Sequence, residues 1–296
     1  MKKPRSYALS DRITVGRAIV YMIVTLVGIV MLYPMWYVLC ASLSDNLALT
    51  NAGLILLPKQ FNLDSYRYVL GTRDLLNIYG NTLYVLVFGI GISMVLSILA
   101  AYALAHKPRG YHIANLLFLV PMLFSAGTIP SYVNMKSLGL LNNLWALILS
   151  SAISSYNVFI LRNFFSSLPQ SVEEAAVIDG AGTFTILFRI VLPLSLAGIA
   201  TVGLFYAVTY WNTYFNALLY CNRRENWVLQ IFLKETLITS QPDILGSSAD
   251  TVAGMKTSSR TVQMAVVIVS VVPILIVYPF IQRYFVKGVM VGAVKG

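Results

Sequence analysis

Six stretches of this chain are apolar for about as long as a helix needs to cross a bilayer, and that constrains the fold before any other feature. About 20 apolar residues span the hydrocarbon core as a helix, because a backbone out of reach of water must satisfy its own polar groups. The stretches run roughly from 18 to 43, 81 to 105, 113 to 133, 140 to 161, 193 to 220 and 261 to 282. Only 11% of the 296 residues are charged, against roughly 25% in a soluble domain, so a water-soluble fold is excluded. The expected architecture is an all-α membrane protein with six transmembrane helices. Pro34, Pro121, Pro130, Pro273 and Pro279 lie inside or at the edges of these runs; bundled membrane helices tolerate proline, so kinks are expected there instead of breaks.

The first run begins after five basic residues (Lys2, Lys3, Arg5, Arg12 and Arg17). It exceeds the roughly 7 to 15 apolar residues of a secretory signal and is expected to stay as an anchor. With the N-terminus inside, the cytoplasmic segments hold 12 of the 21 Lys and Arg residues, and this bias orients membrane helices. Both termini are therefore expected to be cytoplasmic. The chain divides into an N-terminal segment 1–17, a transmembrane domain 18–282 with a long inner loop 166–192, and a tail 283–296. Gly288, Gly292 and Gly296 in the tail suggest an extended, closely packed strip.

Several function classes are disfavoured. The formal charge of +10 is scattered over loops and termini, which does not make a nucleic-acid face. Cys40 and Cys221 are far apart and suit neither a disulfide framework nor a metal pair. His106 and His112 lack Cys or acidic companions in sequence, so they are expected at the surface, with no metal site and no cofactor. Charge is absent from Leu83 to Ala105 and from Thr261 to Gln282, whereas ion-coupled carriers usually keep ionisable groups in the membrane interior. No HExxH and no GxxxxGK[ST] occurs, so ATP would have to be bound by a separate subunit.

The loop between the fourth and fifth helices is the most informative segment. Pro169 suits a first helical turn, Ser171 and Glu174 have capping-box spacing, and Gly180 and Gly182 allow a stop and a turn. A short helix, a sharp glycine turn and a second helix entering the membrane near Pro193 are expected. Its alanines permit close approach of another protein, and its carboxylates suit Arg or Lys. Taken one at a time, the same residues are explained by capping and helix propensity.

Together they are specific: Glu174-Ala175-Ala176, three residues, Gly180, nine residues, Ile190, one residue, Leu192-Pro193. This resembles the signature of the permease family of binding-protein-dependent ABC importers. The resemblance implies a type I importer (MetI-like) permease fold, in which this loop is a coupling helix docked on an ATPase; the role would fall here on Glu173, Glu174, Ala175, Ala176, Asp179, Gly180 and Ala181. It further implies a second homologous permease, a pair of ATPase subunits, an extracellular or periplasmic solute-binding protein, and a place in the bacterial cell (inner) membrane. Ala197 stands near where many relatives carry a second proline, which bears on the bend of the fifth helix. The segments Phe124 to Tyr132, Trp211 to Ala217 and Phe285 to Gly296 are similar to a branch of carbohydrate permeases associated with complex and uronate-containing oligosaccharides.

The fifth helix carries Tyr206, Tyr210 and Tyr214 every four residues beside a polar stripe of Thr209, Asn212 and Asn216. Rings and amides suit the CH faces and hydroxyls of a sugar, so Tyr210, Trp211, Asn212 and Asn216 are candidates for the solute path. An outer aromatic belt is the alternative for the tyrosines. Ser150, Ser151, Ser154, Ser155 and Asn157 in the fourth helix fit helix-to-helix packing better than solute binding.

Overall fold

The computed structural model describes residues 15–45, 48–49, 55–238 and 259–293. Among the described residues the chain is helical, with one isolated antiparallel bridge between Ser44 and Phe61. In chain order the helices are α1 (Val15–Ser42), α2 (Asp64–Gly71), α3 (Arg73–Ala105), α4 (Tyr111–Leu123), α5 (Thr128–Ser137), α6 (Leu144–Ser150), α7 (Ser155–Ser166) and α8 (Gln170–Ile178). They continue as α9 (Thr183–Leu194, with a π-helical turn at Leu187–Val191), α10 (Leu196–Trp211), α11 (Tyr214–Tyr220), α12 (Leu229–Ile238) and α13 (Ser259–Ala293).

Uninterrupted apolar sequence gives three continuous spans, α1, α3 and α13, with Pro34, Pro273 and Pro279 lying inside unbroken helices. The other three apolar stretches are bent pairs: α4 with α5 at 117°, α6 with α7 at 51°, and α9 with α10 at 84°. Counting each pair as one span gives the six expected from hydropathy. The expectation of kinks without breaks is corrected at Pro121 and Pro130, which flank the first of these bends, while the other two breaks fall away from the five prolines; each break has a local cause. Between Pro121 and Pro130 the chain turns through Gly127, whose φ of 86° is left-handed. Between Ser151 and Ser154 the helix unwinds, and the freed amide of Ser154 donates to the Tyr206 hydroxyl at 3.0 Å. At Ser195 the bend follows the π turn and Pro193, which has no N–H to give. The fifth span thus bends despite Ala197.

The tail is also corrected. α13 continues as helix to Ala293, so Lys287 to Ala293 is not an extended strip; Val294 to Gly296 lie outside the described residues. The glycines at 288 and 292 recur every four residues, a spacing a helix accommodates on one face.

The main core is built where α3, α6, α7 and α10 meet, around Val85, Ile148, Leu161, Val202, Tyr206 and Tyr210. A second core joins α2, α3, α12 and α13 through Val69, Ile78, Phe232 and Val266. The α7–α10 approach is close: a Cβ on Gly198 would lie 2.5 Å from the Phe164 ring. Most of α1 is exposed around its whole circumference, and only its last residues, such as Cys40 and Ala41, are buried.

Candidate functional site

The loop helix α8 stops as its glycine demands. Gly180 has φ 81°; its amide donates to the Val177 carbonyl at 3.0 Å, and the Ala181 amide reaches back to Ala176 at 2.9 Å. That pair of bonds is a Schellman closure with Gly180 in the left-handed position. The capping box does not form. The helix begins at Gln170 after Pro169, and no side chain caps it; Ser171 already lies inside the first turn.

Ala176 is buried, whereas Glu174, Ala175, Asp179 and Gly180 are exposed. Beyond them, Val177, Ile178 and Phe184 are 60%, 85% and 69% exposed. An apolar knob this open at a loop tip marks a contact surface. Glu173 behaves differently from Glu174. Its Oε2 lies 2.6 Å from His106 Nε2, across a cleft of about 800 Å³ between α8, α7 and the end of α3. His106 Nδ1 lies 2.9 Å from the Tyr102 carbonyl, and the two rings pack tilted at 58° with centroids 4.3 Å apart. Burial pulls the imidazole toward neutrality, but the Tyr102 carbonyl and the Glu173 carboxylate more than offset it, and its pKa stands above the usual histidine value. Sequence reasoning missed His106 because its acidic companion is 67 residues away.

The four path candidates of the fifth span do not share one surface. Tyr210 is buried in the main core, where its hydroxyl bonds Ser93 at 2.8 Å and donates to the Ile148 carbonyl at 3.0 Å. Its ring also lies over Gly89, where a Cβ would come within 2.7 Å. Tyr206 bonds Ser97 at 2.6 Å. These two tyrosines therefore do not form an outer aromatic belt; they tie α10 to α3 and to the break in the fourth span, and Tyr206 also borders a cleft. Trp211 is buried in the second core, and Asn212 is exposed at the end of α10.

Asn216 lies in a separate polar cleft of about 430 Å³, lined also by Ser125, Thr128, Ser131, Asn134 and Ser150. Its amide donates to Ser150 and Ser151 at 3.2 and 3.3 Å. The serines read as helix packing thus mark the break itself: Ser150, just before it, borders this cleft, whereas Ser151 and Ser154 border a second cleft of about 820 Å³ beside Thr209. The lining of the Asn216 cleft is neutral, with hydroxyl and amide groups and no ionisable side chain except the Tyr220 phenol.

Broken apolar spans around polar clefts, with a glycine-closed loop helix between two of them, are the build of a multi-pass membrane transport component. The chain belongs to the family described as the binding-protein-dependent transport system inner membrane component, whose pattern matches residues 81–291. It is 42% identical over 279 residues to the polygalacturonan/rhamnogalacturonan transport system permease protein YtcP of Bacillus subtilis, covering 94% of this chain and 97% of that one. It is 28% identical to the arabinooligosaccharides transport system permease protein AraQ of Halalkalibacterium halodurans over the full length of both. The fold matches a chain from the crystal structure of a bacterial ABC transporter involved in the import of the acidic polysaccharide alginate, with a TM-score of 0.86 and 32% identity, covering 96% of this chain and 100% of that one. The MetI-like permease fold follows, as does a place in the cell membrane alongside ATPase and binding-protein partners.

Proposed function

We propose that this chain is one of two permease subunits of an ATP-driven importer for oligosaccharides, including uronate-containing ones, and that the loop from Glu173 to Ala181 is its contact with an ATPase subunit. The observation that carries the coupling role is the Schellman-closed tip with Val177, Ile178 and Phe184 open beside it. The substrate class is supported by the pectic, arabinan and alginate importers to which the chain is similar. With both termini cytoplasmic, an external binding protein delivers the sugar on the side opposite α8. Closure of two ATPase subunits then moves the loop and switches the bundle between outward and inward access, a two-state change biased by nucleotide. Asn212 and Asn216 are the side chains that meet solute hydroxyls, while Tyr210 and Trp211 hold the helix behind them.

The test is uptake by the purified complex in liposomes of labelled oligogalacturonides, arabinooligosaccharides and alginate oligosaccharides. ATP-dependent accumulation of at least one class is expected. Failure to accumulate any of them, in a complex that hydrolyses ATP on addition of its binding protein, would sink the substrate assignment.

A further inference from the structure

Both ring nitrogens of His106 face acceptors: the Tyr102 carbonyl at 2.9 Å and the Glu173 carboxylate at 2.6 Å. A neutral imidazole has one N–H and serves one of them, whereas the imidazolium donates to both. Such charge-assisted bonds are roughly twice as strong as neutral ones. This contact joins the first turns of α8 to the C-terminal end of α3. Midway along α3, Ser97 and Ser93 bond the hydroxyls of Tyr206 and Tyr210. Those hydroxyls in turn hold the Ser154 amide on one side of the fourth-span break and the Ile148 carbonyl on the other. Asn216 and the polar cleft sit at that same break. One continuous helix is therefore hydrogen-bonded to the coupling loop at its end and, through the Tyr206 and Tyr210 hydroxyls of α10, linked to both sides of the break.

We propose that His106 is a positioning residue that clamps α8 to α3 through Glu173, so that displacement of the loop by an ATPase is carried along α3 to the polar cleft at the break between α6 and α7. The proposal rests on the coupling role given above to the loop. The other charged groups at the clamp are Lys107, next to His106, and Glu174 from α8; Phe165 and Ser166 of α7 and Leu168 just after it carry no charge. The clamp therefore holds while His106 is protonated and is released as pH rises through its elevated pKa.

The experiment uses the assembled complex in liposomes with Ser150→Cys as a reporter in the cleft, Cys40 and Cys221 replaced by Ser, and a small maleimide as probe. The quantity read is the ratio of labelling rates with and without ATP, which needs no knowledge of the transported sugar. His106→Ala is expected to shrink the ATP-dependent change at least about 5-fold, the low end for coupled sites, while the ATPase still co-purifies. In the wild-type background the change should fade as pH rises through and beyond the usual histidine range. His106→Lys, which keeps a cation opposite Glu173 throughout that window, should preserve the change and flatten its pH profile. A full ATP response in His106→Ala, or pH profiles that coincide for wild type and His106→Lys, overturns the clamp. If His106→Ala does not assemble, the comparison of wild type with His106→Lys decides alone. Gly180→Leu separates the two ideas: if it abolishes the response and His106→Ala does not, the loop couples without this clamp. If neither variant alters the response, or wild type gives none, the coupling role fails and the clamp with it.

Discussion

Substituting Gly180 isolates what the tip of α8 does, because two kinds of harm separate there. The residue sits at φ 81° with open space around the position of a Cβ. Inside this chain, Ala and Leu therefore suffer the same backbone penalty, about 1–2 kcal/mol for an L residue held in the left-handed region, and neither meets a clash. Asn tolerates that region better and should lose less. A penalty of about 1 kcal/mol shifts a two-state population about 5-fold. Gly180→Ala should thus lower ATP hydrolysis stimulated by the loaded binding protein by about that factor, and Gly180→Asn by less. If the proposed contact holds, Gly180→Leu should do much worse, because its side chain would project toward the ATPase subunit. Stimulated hydrolysis, measured beside pull-down of the ATPase, ranks the three. Equal losses for Ala and Leu would mean the tip touches nothing, and wild-type behaviour in all three would refute the coupling role.

Asn216→Ala should reduce uptake while leaving binding-protein-stimulated hydrolysis within about 2-fold of wild type, since it removes polar contacts at the cleft and not the loop; normal uptake would place the path elsewhere. Tyr206→Phe leaves the buried Ser97 hydroxyl and the Ser154 amide without their partner, a loss of about 1–3 kcal/mol that should appear as a lower Tm of the detergent-solubilised complex. Gly198→Ala forces a Cβ against the Phe164 ring and should cost about 1–3 kcal/mol; rescue of thermal stability by Phe164→Leu checks that packing is the cause.

Hydropathy made the number of spans legible because bilayer thickness fixes the length of an apolar run, whatever the backbone does inside it. It could not place the breaks. Ser151 to Ser154 unwinds because a tyrosine hydroxyl from α10 takes over an amide, and that partner is 52 residues away. The loop motif was legible down to the left-handed glycine, since only a turn explains Gly180 after an alanine-rich helix. Its capping box was misread: Ser171 and Glu174 have the right spacing, but Pro169 starts the helix two residues earlier. Tyr206 and Tyr210 were legible as a stripe, not as to which neighbour the stripe faced. His106 offered one faint signal, a histidine at the end of an uncharged span on the same predicted side as an acidic loop.

The unwound link from Phe124 to Gly127 has a practical consequence. It follows a helix of 13 residues, about 20 Å of rise, inside a hydrocarbon layer about 30 Å thick, and all four of its residues are exposed. Irregular backbone is tolerated at that depth only against protein or water. Acyl chains are the one neighbour it cannot have. Produced without companions, the chain would offer the part of this strip outside the polar cleft, Phe124 and Ala126, to lipid, and quality-control proteases should remove it. The steady-state amount of chain in a cell is then a direct gauge of whether a cover for that strip has been co-expressed.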